Sequence, residues 1–364
     1  MKNIGAWFIL IACALSSLQC QHNPQSSEAQ QWRLQVVGDI RPLHLQVNRT
    51  VTMACYCYHD NSARTTLGSY VWMMIDLPSG NMQNVAALLP KDDVADDDMI
   101  DSVIPSPSGN QLAIVVWASS TDAKTTKYRC YLLDVKKRTW KLLTTAPKIG
   151  MLWAGDRLFV SSLLGSEEQP LLITETYLPD GTKCQGAPIY AGAVAASDDG
   201  REIILGRSSN DLDIHKRPEK FGGKFHMMAL GSDGKIRAIP NLLYPRISPS
   251  GRWFAGLDEW NTSPYFRVME SSGQTSWDVN GTGVLFGVTD GGALYKADMP
   301  KGRSKILMDG DIFNVTRIAP SGHGNIVATN VLDACMAGNK LFVIVDAKNP
   351  VLRAIDTADD VKLK

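Results

Sequence analysis

The sequence lacks a surplus of either charge. Lys and Arg number 37 and Asp and Glu number 37, so nothing supplies the basic excess a protein needs to neutralise nucleic-acid phosphates. It lacks a second long apolar run. Residues 4–18 are almost continuously apolar, which is short of the roughly 20 residues a spanning helix needs, so a polytopic membrane protein is excluded. It also lacks the marks of familiar catalysts. There is no G-x-S-x-G nucleophile elbow, no phosphate-binding glycine loop and no dinucleotide fingerprint. Histidine is scarce: His22, His44, His59, His215, His226 and His323 stand in no H-x-H or H-E-x-x-H spacing, and each reads best as a loop residue. No C-x-x-C pair announces zinc.

With 364 residues, 44% hydrophobic and 20% charged, the chain has the composition of a folded protein rather than a disordered one. The N-terminus reads as an export signal. Lys2 precedes the apolar run, and the run has the length of a secretory h-region. Two cysteines follow a lipoprotein pattern. Ser17-Leu18-Gln19-Cys20 sits at the expected depth and is followed by a Gln- and Ser-rich leash. Leu10-Ile11-Ala12-Cys13 is the better local match but leaves a very short signal. Cys20 is the expected lipidated residue, with Cys13 and plain secretion as alternatives. Residues 1–20 are then signal, 21–31 a polar tether and 32–364 the folded body. Of the five later cysteines, Cys55 and Cys57 fall on one face of a strand-like run. Buried thiols are the first reading, and a Cys335 bridge to Cys55 or Cys57 the second.

Past Gln31 there is almost no helical periodicity. Runs of five to eight residues rich in Val, Ile, Leu and aromatics alternate with Gly, Pro, Ser, Asp and Asn, the pattern of an all-β chain. Clear runs are 52–58, 70–77, 112–117, 128–135, 157–161, 171–177, 202–205, 253–257 and 341–346. One turn family leads into such runs: Ser106-Pro107-Ser108-Gly109, Ser197-Asp198-Asp199-Gly200, Ser248-Pro249-Ser250-Gly251 and Ala319-Pro320-Ser321-Gly322. A second interleaves with it, at Leu77-Pro78-Ser79-Gly80, Leu178-Pro179-Asp180-Gly181, Gly231-Ser232-Asp233-Gly234 and Ser271-Ser272-Gly273, as hairpin tips would. Two turn families at a period of about 45 residues predict four-stranded units stacked radially. The expected units are 32–92, 97–147, 148–191, 192–240, 241–280, 281–310 and 311–360. They make a single seven-bladed β-propeller with an incomplete sixth blade, and a six-bladed ring is the alternative.

These turns resemble the S-P-D-G turns of the WD-like propeller repeat borne by TolB-like proteins, with Ser in place of Asp at Ser108, Ser250 and Ser321. The resemblance covers most of residues 97–360. It implies an envelope protein with protein partners and carries no site residue over.

The acidic run Asp92, Asp93, Asp96, Asp97, Asp98 and Asp101 reads as a solvated linker. Ca²⁺ is its alternative use, although the central glycine of an EF-type loop is missing. Adjacent Asp258 and Glu259 would point to opposite faces of a strand and so could not share acid–base work. Binding is the more natural use of a channel mouth. Asp101, Trp153, Tyr244, Arg246 and Arg317 stand just before apolar strands and are the expected mouth residues, aromatic and Arg being hot-spot types. The expected function is therefore a monomeric, non-catalytic envelope binding or scaffold module with no cofactor. A polysaccharide lyase or glycosidase, or a small-ligand sensor, are the rival readings, because a propeller fold does not fix function.

Overall fold

The computed structural model describes residues 30–36, 42–60, 69–90, 94–95, 98–118, 127–165, 170–186, 189–206, 227–240, 242–258, 265–280, 283–298 and 311–357. Gln31–Lys364 form one compact unit. The signal, Cys13 and Cys20 lie outside the described residues, as do most of the acidic run and Glu259.

A short strand, β1 (Gln31–Arg33), comes first. The first sheet follows as β2 (Pro42–Val47), β3 (Met53–Asp60), β4 (Ser69–Asp76) and β5 (Met82–Asn84). The second is β6 (Met99–Pro105), β7 (Gln111–Ala118), β8 (Lys127–Asp134) and β9 (Thr139–Ala146). The third has three strands, β10 (Lys148–Ala154), β11 (Arg157–Gly165) and β12 (Pro170–Tyr177), and single bridges from Lys183 and Ile189 cover part of its edge. The fourth is β13 (Gly192–Ala196), β14 (Glu202–Gly206), β15 (Met227–Gly231) and β16 (Ile236–Ala238). The fifth is β17 (Leu243–Ile247), β18 (Trp253–Asp258), β19 (Tyr265–Glu270) and β20 (Ser276–Asn280). These five antiparallel sheets are blades of a β-propeller.

The rest is one seven-stranded sheet: β21 (Leu285–Val288), β22 (Leu294–Asp298), β23 (Phe313–Ile318), β24 (Gly324–Ala337), β25 (Lys340–Val345) and β26 (Val351–Asp356), with β1 added beside β26. The unit boundary expected at 310/311 is wrong. β22 and β23 pair across it, from Leu294 with Ile318 to Asp298 with Asn314. The long β24 serves both halves of this sheet: its first residues pair with β23 and its last with β25. The sheet turns back on itself there, because Phe286, Phe313 and Val315 pack against Val331, Leu341 and Val343. Trp32 also leaves its expected unit, pairing with Leu352 while its indole N–H donates to Leu77 O at 2.8 Å.

Apolar clusters fill the gaps between successive sheets. Met53, Cys55, Cys57 and Trp72 pack against Ile114, Val116 and Leu133, and Tyr56 and Ile75 pack against Phe342 and Leu352. Cys55 and Cys57 thus share a face, as their spacing requires. Strands sandwiched between neighbouring sheets are buried on both sides: β18, WFAGLD, is buried at every position. That is why such strands read as unbroken apolar runs rather than as alternation. Among the described residues no disulfide joins Cys55, Cys57, Cys130, Cys184 and Cys335, so the disulfide alternative is not realised.

Three members of the first turn family join the first and second strands of a blade, while Ala319–Gly322 joins β23 to β24, and the reason for the serine of those three is plain. Ser106, Ser197 and Ser248 are buried, and each hydroxyl accepts the backbone N–H five residues on, at 3.0, 3.0 and 3.1 Å. The glycines three residues after them sit at φ +71°, +70° and +77°, a conformation glycine adopts at little cost. Asn48 does the same work in a turn of the same length, accepting from Thr52 N and Met53 N at 2.9 and 2.7 Å. The second family joins third and fourth strands, as its interleaving predicts.

Candidate functional site

Seven strands, β2, β6, β10, β13, β17, β21 and β24, surround one cavity of about 690 Å³. Each packs against the next, and β24 packs against β2. The cavity has two unlike ends.

At the end where first strands turn into second strands, backbone meets backbone. Asp198 N donates to Pro249 O at 2.9 Å and Thr50 N to Pro107 O at 3.3 Å. Ser250 N and Oγ donate to Asp290 Oδ1 at 2.9 and 2.6 Å. Arg49 then crosses this end. It leaves the end of β2 and donates from Nη1 to Asp198 O, at the end of β13, at 2.7 Å, with Nε 3.6 Å from Asp198 Oδ2. β6 and β10 lie between those two strands around the ring, so the pair spans the mouth rather than following its rim. Burial raises the Asp198 carboxyl to about 6, with Arg49 opposing and Asp290 and Asp199 adding to the rise.

The opposite end is shaped by bulges. β2, β6, β13, β17 and β21 each carry one residue more than their partner near the strand start, and β24 does so where its pairing with β25 begins, the shifts falling at 43/46, 100/102, 193/195, 243/246, 285/287 and 331/333. A bulge bends its strand and re-aims a side chain. The residues so placed include His44, Asp101, Val194 and Tyr244. Tyr244 is 53% exposed and Val194 41%. His44 and Tyr244 hold φ +53° and +50°, values that bulky L-residues adopt only at a cost. His44 also stacks on Trp72 at 6.2 Å. Solvent reaches Asp101, yet partial burial raises its carboxyl, against the lowering effects of Ser102 and His44.

The expected mouth residues therefore do not form one group. Asp101 and Tyr244 lie at the bulged end, and Trp153, near the end of β10, lies toward the other. Arg246 lies inside the channel. Arg317 is not at a mouth. It lies on β23, the third strand from β21, opposite Tyr295, whose hydroxyl it bonds. The misplaced 310/311 boundary had made that strand look like the first of a unit. Sequence reasoning missed Arg49 and Asp198 as a pair and His44 as a mouth residue. Pro245 inside a strand was a usable signal for the β17 bulge.

Arg246 is half-buried, and among the described residues its one hydrogen bond runs to Pro245 O, at 3.2 Å. It makes no ion pair among the described residues. Burial lowers its pKa, with the Cys335 thiol as the electrostatic neighbour. Burial also pushes that thiol up, so it stays neutral. The Trp153 indole N–H is likewise buried without an acceptor.

The acidic positions have local duties. Asp98 pairs with Arg129 and accepts from Ala95 N at 3.0 Å. Asp258, buried, accepts from the Tyr265 hydroxyl at 2.9 Å and lies 3.6 Å from Arg267. Among the described residues no group of three or more His, Cys, Asp or Glu is placed to hold a metal, and no helix is long and apolar enough to cross a membrane.

No protein-family model and no curated protein matches this chain. Solved structures do. The propeller domain of the Trilobed protease from Pyrococcus furiosus, described as having an open velcro topology, aligns at TM-score 0.56 and 11% identity over 86% of this chain and 93% of its own. An oligogalacturonate lyase in complex with manganese aligns at TM-score 0.55 and 9% identity over 93% and 96%. Pyrococcus horikoshii acylaminoacyl peptidase aligns at TM-score 0.51 and 11% identity over 79% of this chain and 45% of its own. This chain thus spans under half of that peptidase. These likenesses establish the propeller fold alone. TolB structures also match, at TM-scores of 0.43 and 0.42, too loosely to carry an argument.

Proposed function

We propose that this chain is an exported, lipid-anchored, non-catalytic propeller that holds a protein partner on its bulged face. The observation that carries the reading is Tyr244: a large aromatic, 53% exposed, at φ +50°, beside the channel. Strain of that kind persists where the surroundings over-determine it, and such places cluster at functional sites. Tyrosine is also a common interface anchor. Val194, His44 and Asp101 extend the surface around it.

The ring is read as seven units. In favour, seven strands surround the cavity, and the seven-stranded sheet folds back at β24. On this reading β21 to the first part of β24 form the sixth blade. The rest of β24 with β25, β26 and β1 forms the seventh, so the two chain ends close the ring. Anchoring rests on Ser17-Leu18-Gln19-Cys20. A single acyl-bearing cysteine ahead of a polar leash places a body on a membrane without spanning it.

A photo-cross-linking residue at position 244, used in intact envelopes, tests the partner. The expected result is a discrete protein adduct that disappears with Val194→Asp and survives Arg49→Ala. No adduct, or one indifferent to Val194→Asp, overturns the reading. For the anchor, palmitate labelling that persists in Cys20→Ser would remove Cys20 from consideration.

A further inference from the structure

We infer that the channel binds a ligand with an apolar body and a single carboxylate, held by Arg246. The inference rests on reading the chain as a binding propeller, but it concerns the cavity rather than the partner face.

A guanidinium has five N–H donors, and among the described residues that of Arg246 has one hydrogen-bond acceptor, the carbonyl of the residue before it. A cation inside protein without a counter-charge is costly. The same circumstance makes it a strong anion site, because attraction between charges grows as water is excluded. The other charged groups around the cavity do not meet this need. Arg49 and Asp198 are joined to each other. Asp333 accepts from Leu45 N and Ala334 N at 2.6 and 2.8 Å. The thiol of Cys335 is neutral.

The walls define the rest of the ligand. Leu43, Val194, Phe286, Leu332 and Met336 line the channel, and 690 Å³ lies within the roughly 300–1,000 Å³ of small-molecule sites. Arg246 is the lining cation that makes no ion pair among the described residues, and one negative charge matches it. The planar fork of arginine matches the two oxygens of a carboxylate, whereas a dianionic phosphate would keep one charge uncompensated. Access is from the bulged end, where Tyr244 stands two residues before Arg246 and is open to solvent. Arg49 and Asp198 cross the other end. The chemistry is shared by a free amphipathic acid and by the C-terminus of an apolar peptide.

Calorimetric titration of the full chain tests this with two matched pairs, octanoate against octanol, and acetyl-Leu-Leu-Phe acid against its amide. At least one acid is expected to bind about tenfold or more tightly than its uncharged partner. The pair that shows the difference identifies the source. Arg246→Gln should abolish the preference, and Arg246→Lys, which keeps the charge but not the fork, should reduce it partly. Thermal melting checks the fold, and should Arg246→Gln not fold, the Lys variant carries the test. Equal binding within both pairs, no binding in either, or a preference unchanged in the variants overturns the inference. A Tyr244 adduct that persists without carboxylate binding refutes the channel site alone. Carboxylate binding without an adduct refutes the partner face alone.

Discussion

Replacing Asp198 by Asn should stabilise the protein at neutral pH and do little in acid. The carboxyl is held at about 6 in the folded chain against an ordinary value of 3.8, with burial the largest cause. A raised acid takes up its proton more readily folded than unfolded. The folded state therefore loses stability as pH rises through the window between those two values, and the loss is complete above it. The difference corresponds to about 3 kcal/mol at one pKa unit per 1.36 kcal/mol, and the Asp198 side chain is only 27% exposed, so screening removes little of it. The Arg49 attraction is already included, since it opposes the shift. Asparagine cannot ionise, yet it keeps both main-chain links, Asp198 N to Pro249 O and Arg49 Nη1 to Asp198 O.

Urea unfolding of both proteins at pH 4 and pH 7.5 reads the effect. Asp134, Asp180, Asp233 and Glu270 have lowered values, and their contribution runs the other way, lost as pH falls. Those groups are common to both proteins and cancel at each pH. The variant is expected to gain under about 1 kcal/mol at pH 4 and up to about 3 kcal/mol at pH 7.5. A variant weakened at pH 7.5, or changed equally at both, would refute the reasoning, because the ionised pair with Arg49 would then be a net stabiliser.

Asn48→Ala should cost about 3 kcal/mol in the same assay, because it strands Thr52 N and Met53 N. Gly200→Ala should be far worse than Gly234→Ala. Their φ values are alike, +70° and +73°, but a Cβ at Gly200 would lie 2.7 Å from Ala154 C and one at Gly234 meets nothing. The second should cost about 1 kcal/mol, and comparable losses would mean the turn contacts yield. Peptide mapping of the unreduced protein should find Cys335 unpaired, and Cys55, Cys57 and Cys130 should react with a thiol reagent only on unfolding.

What was legible in the sequence followed burial. The runs named from composition, such as 112–117, 202–205 and 253–257, became β7, β14 and β18, each buried at most positions. All the named runs are second or third strands of a blade, or their counterparts in the seven-stranded sheet. None is a channel-lining strand. The reason is physical: a strand against a cavity is buried less fully, as in β2, where only Pro42 and Leu45 are buried, and the extra residue of a bulge breaks the period of two. The strands that make the site are thus the ones whose pattern is weakest. The 310/311 error has the same root. β21 is four residues long with a bulge inside it, so it gave no run to mark the start of a unit. Arg317 was consequently assigned to the mouth, while Arg246 and Tyr244 were assigned to the right strand.

The two ends of the channel differ in a way that bears on where binding can evolve. At the turn end main chain meets main chain, with the Arg49–Asp198 and Ser250–Asp290 side-chain contacts added. Gly155 and Gly200 leave no room for a side chain between them, and Asp198, Pro249, Thr50 and Pro107 are joined through backbone groups. Substituting side chains there changes stability before it changes recognition. At the bulged end the ring is made of side chains: His44, Asp101, Val194 and Tyr244 stand on strands whose pairing is set elsewhere along their length. Their identity can change while the ladder stays intact. A propeller built this way holds its ring closed with one end and presents side chains with the other, and Arg246, without an ion pair among the described residues, lies between them.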